Sequence, residues 1–118
     1  MARILVIDDE RAIRNTLKEI LEFEGYTVEV AENGRIGLER ALGNAFDLIF
    51  TDIKMPEMDG MEFLQAYREG MAQQNSEEAP VVVITGHGSV DTAVESLKGG
   101  AFDFIQKPLD LNRLLVTT

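Results

Sequence analysis

Polar side chains stand directly after four runs of apolar residues, and their types suggest a charged site. Asp8 and Asp9 follow the first run, Asp52 the second, Thr85 the third and Lys107 the last. If these runs are neighbouring parallel strands, the side chains meet at one edge of a sheet. Three carboxylates at such short spacing repel one another, so one of them must take a proton or a cation must bind. A hard divalent ion such as Mg²⁺, held by one or two carboxylates and several waters, suits this group.

Each acidic residue also has a purely structural explanation. Asp8 and Asp9 are suited to cap a following helix, and Asp52 is suited to cap a turn. Capping does not explain why acids, a threonine and a lysine occupy successive strand ends. The joint pattern therefore favours a functional site.

The apolar runs alternate with segments of helical periodicity. Continuous apolar runs at Ile4–Ile7, Phe46–Thr51 and Val81–Ile84 are typical of strands buried on both faces. Tyr26–Ala31 alternates between apolar and polar residues, which is typical of an edge strand, and Ala101–Gln106 is predicted to be a short last strand. The three continuous runs therefore belong in the middle of the sheet.

Helical spacing of apolar residues predicts the helices. They are expected over Glu10–Glu24, over Arg35–Leu42, from Met61 to Met71, from Ser89 to Leu97 and from Leu109 to Val116. The last of these has roughly two turns and ends in poor helix formers, so we expect it to be short or truncated. Five strands alternating with helices predict an α/β fold, a doubly wound parallel sheet with helices on both faces.

Length and composition limit the classes of protein. The chain has 118 residues, with 11 Lys and Arg against 21 Asp and Glu, a net charge of −10 and no cysteine. We expect one domain over residues 1–118, forming the N-terminal part of a longer protein. The negative charge argues against contact with nucleic acid or an anionic membrane. No apolar run approaches the ~20 residues of a membrane span, so a cytoplasmic location is expected.

Several short motifs together resemble a known family. The motifs are Ile7-Asp8-Asp9-Glu10, Thr51-Asp52 with Met55-Pro56 through Asp59-Gly60, Ile84-Thr85-Gly86, and Phe104 with Lys107-Pro108. With these motifs in this order, the chain resembles a response-regulator receiver domain of bacterial two-component signalling over essentially its whole length. The resemblance implies a flavodoxin-like sheet of order 2-1-3-4-5. The stretch from Thr85 to Pro108 is most similar to receivers of the nitrogen-regulatory type, which precede a sigma-54-activating ATPase and a DNA-binding domain.

The resemblance also implies a role for each acidic residue. Asp52 would accept a phosphoryl group. Asp9 and Asp52 would bind Mg²⁺ (or Mn²⁺) directly, and Asp8 would act through water. Lys54 would supply its backbone carbonyl as a further ligand, so its side chain matters less.

The remaining implied roles concern the phosphoryl group and the response to it. Thr85 would hydrogen-bond a phosphoryl oxygen, and Lys107 would form an ion pair with the group. Phe104 would be an aromatic switch that turns inward as Thr85 moves. The face formed by the fourth helix, fifth strand and fifth helix would then change.

The implied function is a phosphorelay switch. A sensor histidine kinase would donate the phosphoryl group, and the altered face would control the protein's own output domain, expected to be transcriptional, or pair with a second receiver. The domain would catalyse only its own phosphorylation and dephosphorylation. The alternative within the family is a stand-alone receiver or docking module without a DNA-binding output.

Two functions outside the family fit the same fold class. A flavin-binding electron carrier needs a phosphate loop rich in glycine and hydroxyl groups after the first strand, where Asp8-Asp9-Glu10 would repel a phosphate. A magnesium-dependent phosphatase with an aspartyl nucleophile usually places that nucleophile after the first strand and carries a substrate cap. The chain has no room for such a cap.

Overall fold

The computed structural model describes residues 2–55, 57–85, 94–95 and 97–106. Its elements, in chain order, are β1 (Arg3–Ile7), α1 (Arg11–Phe23), β2 (Thr27–Ala31), α2 (Gly34–Gly43), β3 (Leu48–Asp52), α3 (Gly60–Gln73), β4 (Val81–Thr85) and β5 (Asp103–Gln106). Residues 94, 95 and 97 are also helical, within the predicted fourth helix, and so is residue 98, just beyond its predicted end. The start of that helix and the predicted last helix lie outside the described residues.

The five strands form one parallel sheet of order β2-β1-β3-β4-β5, as predicted. Ile7 of β1 is in register with Ala31 of β2 on one side and with Thr51 of β3 on the other. Asp8 and Asp52 therefore follow at adjacent positions at the carboxyl ends of β1 and β3. The edge position predicted for the alternating strand β2 is confirmed.

Hydrophobic cores cover both faces of the sheet, which explains why the central strands are apolar at every position. One face packs against α2 and α3, and the other against α1. The first core includes Leu5, Ile7, Ile49, Val83, Ala41, Phe63, Leu64 and Tyr67. The second includes Ile4, Val6, Phe50, Val82, Ile84, Ile105, Leu17 and Leu21.

Specific residues set the ends of the helices. α1 ends at Phe23, and Gly25, two residues later, has a φ of 95° in the left-handed region that glycine tolerates. Asn33 caps α2 by accepting the backbone N–H of Ile36 at 2.9 Å. α3 begins with a capping box between Asp59 and Glu62.

Two predicted strands begin two residues later than expected. β3 begins at Leu48 and not at Phe46, because the ring of Phe46 lies under the Arg3 guanidinium, 5.0 Å from ring centroid to Cζ. β5 begins at Asp103 and not at Ala101. The preceding turn includes Gly100, whose φ is 108°, so the chain is still changing direction there.

The connector from α3 to β4 is tied to the helix before it. Asn75 has a left-handed φ of 54°, and its N–H donates to the Ala72 carbonyl at 3.1 Å, which ends the helix. The backbone N–H of Ala79 donates to the Tyr67 hydroxyl at 2.8 Å. The connector is therefore tied to the fold by both contacts.

Among the residues that the structure describes, no helix has the length and apolar character needed to cross a membrane.

Candidate functional site

Three carboxylates gather at the carboxyl ends of β1 and β3. Carboxylate oxygens of Asp8, Glu10 and Asp52 all lie within 4.8 Å of one another. Asp8 and Asp52 are 0% and 6% exposed, whereas Glu10 is exposed at the edge of the group. The sheet register explains this arrangement, because it brings the residues after Ile7 and Thr51 side by side.

The loop after β1 is held by hydrogen bonds on each side of Asp8. Its backbone N–H donates to the Ala31 carbonyl of β2 at 3.1 Å, and its carbonyl accepts the Arg14 guanidinium at 2.7 Å. Its carboxylate Oδ1 accepts the backbone N–H of Glu10 at 2.9 Å. Both the main chain and the side chain of Asp8 are thereby fixed at the strand end.

The chain folds back tightly after Asp52. The Asp52 carboxylate accepts the backbone N–H of Ile53 at 2.7 Å, and the Gly60 N–H donates to the Ile53 carbonyl at 2.7 Å. A Cβ at position 60 would lie 2.2 Å from the Asp52 carbonyl oxygen, so only glycine permits this close approach. The loop between β3 and α3 is therefore held against the site.

The donor set fits a hard divalent cation. It consists of carboxylate oxygens alone, which Mg²⁺ prefers, and it is open to solvent on the side of Glu10. Two of the acids are buried, and a positive ion would offset the repulsion between them. The chemistry of the group thus matches the cation that the sequence predicted.

The structure describes four of the other predicted site residues. Asp9 and Lys54 are exposed on the two loops that border it. Thr85 is the last residue of β4 and is in register with Gln106 of β5. Phe104 lies in β5 and is half-buried against the core on the side of α2 and α3.

Lys107, the remaining predicted site residue, lies outside the described residues. Glu10 is the residue to which sequence reasoning gave no role, although the structure brings its carboxylate to Asp8 and Asp52. Its signal in the sequence was its position as the third acid of Asp8-Asp9-Glu10. Sequence reasoning chose Asp9 as the acid beside Asp52, whereas the group of carboxylates within 4.8 Å of one another contains Glu10.

Comparisons with known proteins identify the family. The family described as "Response regulator receiver domain" matches residues 4–118. The transcriptional regulatory protein ZraR of Klebsiella oxytoca is 42% identical over 114 residues, which cover 97% of this chain and 25% of ZraR. Curated relatives are thus much longer, and the chain spans between 23% and 47% of their length.

Solved structures agree in fold and sequence. A response regulator receiver domain protein from Clostridium thermocellum superposes with a TM-score of 0.88 at 35% identity, covering 98% of this chain and 90% of that one. NtrX from Brucella abortus superposes with a TM-score of 0.87 at 36% identity, covering 98% of this chain and 26% of that one. The similarity to NtrX and ZraR agrees with the predicted likeness to receivers of the nitrogen-regulatory type. The chain belongs to the response-regulator receiver domain family.

Proposed function

We propose that this receiver domain accepts a phosphoryl group on Asp52 from a sensor histidine kinase. The observation that carries the proposal is the buried Asp52 carboxylate, gathered with Asp8 and Glu10 at the carboxyl end of the sheet. Ligands of open parallel α/β sheets bind at this edge. Receiver domains interact with histidine kinases. We propose that such a kinase donates the phosphoryl group to this chain.

The acidic group is proposed to hold the metal ion. Receiver domains bind Mg²⁺ at an acidic pocket, and this chain forms such a pocket. We assign direct contacts to Asp9 and Asp52, a contact through water to Asp8, and the backbone carbonyl of Lys54 as a further ligand; Mn²⁺ would serve as well. When bound, the ion supplies positive charge that neutralises phosphoryl oxygens.

Asp52 is well suited to act as the nucleophile. Its carboxylate stands at the end of a rigid strand, and its Oδ1 is fixed by the Ile53 N–H. Attack on the phosphorus of a phosphohistidine breaks the phosphorus–nitrogen bond and leaves an acyl phosphate, which is labile enough to be a reversible mark. Lys107 would form an ion pair with the phosphoryl group, and Thr85 would donate its hydroxyl hydrogen bond to a phosphoryl oxygen.

The response is proposed to run through Thr85 and Phe104. Movement of Thr85 towards the phosphoryl group would let Phe104 turn inward and change the face built from the fourth helix, β5 and the fifth helix. This is a population shift: moving the equilibrium from 1:99 to 99:1 needs ~5.5 kcal/mol of differential interaction. We expect the altered face to control the protein's own output domain or to pair with a second receiver.

The output is proposed to be transcriptional, of the sigma-54-activating type. The similarity to the transcriptional regulatory protein ZraR supports this proposal, as does the structural similarity to NtrX. The receiver itself is not expected to contact nucleic acid, because its net charge is −10. We expect the protein to work in the cytoplasm.

Phosphorylation by a small phosphodonor tests the acceptor. With acetyl phosphate and Mg²⁺, followed by borohydride trapping, peptide mass measurement should find a single modification at Asp52. Asp52→Ala should abolish it, whereas Asp47→Ala, which removes an exposed aspartate before β3, should not. A label that survives in Asp52→Ala, or that forms equally well in EDTA, would overturn the assignment.

Beryllofluoride, a mimic of the phosphoryl group, tests the switch. We expect chemical-shift changes both in the Asp52 pocket and in the segment from Val94 to Phe104. Thr85→Ala should still bind beryllofluoride but lose the distant changes. Changes confined to the pocket in the wild type would instead support a docking module that binds without switching.

A further inference from the structure

We infer that Arg35 is a positioning residue for phosphoryl transfer, because it holds the loop that follows Asp52 against the start of α2. The inference rests on the proposed phosphorylation of Asp52. The Arg35 guanidinium donates from Nε to the Glu57 carboxylate at 3.0 Å. Arg35 is the second residue of α2, and Glu57 lies in the loop between β3 and α3. One ion pair therefore joins α2 to this loop.

The backbone conformation of Glu57 requires contacts that hold it. Its φ of 67° lies in the left-handed region, which is unfavourable for most residues with a Cβ. Among the described residues, the other non-glycine residue with a positive φ is Asn75, which follows the end of α3. Asparagine tolerates this region, whereas glutamate does not share that tolerance. Such conformations persist where the surrounding structure holds them, and they cluster at functional sites.

A backbone contact attaches the neighbouring loop residue to α2. The Gly34 N–H donates to the Met58 carbonyl at 3.2 Å. A Cβ at position 34 would lie 2.2 Å from the same carbonyl oxygen, so this close approach needs glycine. Two adjacent loop residues, Glu57 and Met58, are thus attached to the first two residues of α2.

The same loop is connected to the Asp52 carboxylate at its base. The Ile53 N–H donates to Asp52 Oδ1 at 2.7 Å, and the Ile53 carbonyl accepts the Gly60 N–H at 2.7 Å. Displacement of the loop would therefore move the peptide group that orients the carboxylate. Because a small misplacement of a nucleophile slows its reaction, holding the loop in place should raise the rate of phosphoryl transfer.

The ordinary explanation of this ion pair is a small gain in stability at the surface. The side chains of Arg35 and Glu57 are 54% and 52% exposed, and exposed pairs contribute little to the free energy of unfolding. Arg35 also pairs with Glu39, one turn further along α2, at 3.1 Å. The two glutamates share one arginine, but only Glu57 belongs to the loop. Glu39→Gln is therefore a matched control with the same change in net charge.

Initial rates of phosphorylation by acetyl phosphate and Mg²⁺ test the inference in a double-mutant cycle. At low salt, Arg35→Gln and Glu57→Gln should each react about threefold more slowly than the wild type, an effect of the size expected for an exposed pair. The double variant should be no slower than either single variant, because both changes remove the same contact. Glu39→Gln should react as the wild type does. Rate effects that multiply in the double variant, or slowing in Glu39→Gln as well, would overturn the inference in favour of independent charge effects.

Glu57→Gly separates positioning from stability. Glycine adopts a φ of 67° without strain, so the urea midpoint should be unchanged or higher. Loss of the carboxylate should still slow phosphorylation about threefold. A wild-type rate in Glu57→Gly would mean that the backbone alone positions the loop, which overturns the role of Arg35.

Asp52→Ala separates failure of this inference from failure of the proposed function. Equal rates in all the Arg35 and Glu57 variants, with the label confined to Asp52, would overturn the inference and leave the proposed function intact. A label that persists in Asp52→Ala would instead overturn the proposed function, and the role of Arg35 with it.

Discussion

At the carboxyl ends of β1 and β3 the nearby side chains carry like charges, whereas at the amino ends of the sheet opposite charges are paired. We refer to the first group, Asp8, Glu10 and Asp52, as the acidic rim, and to the second, Arg3, Glu29, Arg40 and Asp47, as the basal network. β1 joins the two, since Arg3 begins it and Asp8 follows it directly.

The basal network satisfies its charges within the protein. The Arg3 guanidinium forms an ion pair with Glu29 and lies over the ring of Phe46 at 5.0 Å from the centroid. Glu29 also pairs with Arg40 at 3.7 Å, and Asp47 accepts the Arg3 backbone N–H at 2.8 Å. Each contact brings opposite partners together and helps to hold β1, β2 and the start of β3.

In the acidic rim, by contrast, carboxylates of the same sign lie within 4.8 Å of one another. Two unit charges of the same sign 4.8 Å apart repel each other by about 3.5 kcal/mol at an effective dielectric constant of about 20. Exposed ion pairs such as those of the basal network contribute about 0.2–1 kcal/mol each. Like-charge repulsion in the rim therefore opposes folding, and a bound cation would offset it, whereas the ion pairs of the basal network modestly raise stability.

Neutralising an acid in the rim should therefore stabilise the fold. Asp8→Asn should raise the free energy of unfolding in EDTA by about 2 kcal/mol, because it removes like-charge repulsion and keeps a side-chain oxygen for the Glu10 N–H. Urea denaturation at neutral pH measures the change. Mg²⁺ should stabilise the wild type, which binds it in the folded state, and should stabilise the variant less.

Asp47→Asn is the matched control at the opposite end of the sheet. The same chemical change there removes an acid whose backbone partner is Arg3, so no gain in stability is expected. Equal stabilisation by the two variants would mean that the overall charge of −10, and not the rim, is responsible. A loss of stability in Asp8→Asn would contradict the like-charge repulsion that we assign to the acidic rim.

A second prediction concerns the connector at the base of the sheet. Tyr67→Phe removes the hydroxyl that accepts the buried N–H of Ala79. We expect the free energy of unfolding to fall by about 1–1.5 kcal/mol, because a buried donor loses its partner. The stacked ring of Phe63, 5.7 Å away between centroids, remains in contact with the new phenyl ring. An unchanged urea midpoint would show that this connector contributes nothing to stability.

The sheet was predictable from the sequence because its packing leaves a simple pattern. β1, β3 and β4 have helices on both faces and are continuously apolar, and β2, at the edge, alternates. Parallel strands also align their carboxyl ends, so the residues after each run could be assigned to one edge. The predicted proximity of Asp8 and Asp52 is confirmed.

The details that the sequence did not indicate depend on single contacts. The Glu10 carboxylate lies within 4.8 Å of those of Asp8 and Asp52, a side-chain proximity that periodicity does not record. Phe46 is apolar like a strand residue, but it lies outside β3 because its ring packs under Arg3. The roles given to Asp52 and to the other predicted site residues remain predictions.

A third prediction addresses the ion pairs of the basal network. Glu29→Gln leaves Arg3 and Arg40 without their shared carboxylate, and the free energy of unfolding should fall by about 0.5–1 kcal/mol at low salt. Since these pairs are partly exposed, the loss should shrink towards zero as salt rises to about 1 M. Urea denaturation at two salt concentrations measures both effects. A loss that does not depend on salt would assign the contribution of Glu29 to packing.

The smallest expected effect is at alkaline pH, and it tests the base of the sheet through Tyr67. Burial raises the pKa of the Tyr67 hydroxyl above its ordinary value of 10.0, the negative charge of Glu78 adds to this, and the hydrogen bond from Ala79 opposes it. Because the pKa of Tyr67 is higher in the folded state, its hydroxyl contributes fully to the free energy of unfolding below pH 10. This contribution is lost as the pH rises through the folded-state pKa. The stability advantage of the wild type over Tyr67→Phe should therefore narrow between about pH 10 and 11, the accessible part of that range.

Urea denaturation of both proteins from pH 8 upwards gives this difference and cancels the titration of lysines that both contain. Glu78→Gln removes one cause of the raised pKa and should reduce the narrowing, whereas an advantage that stays constant with pH would mean that Tyr67 ionises equally readily in the folded and unfolded chain.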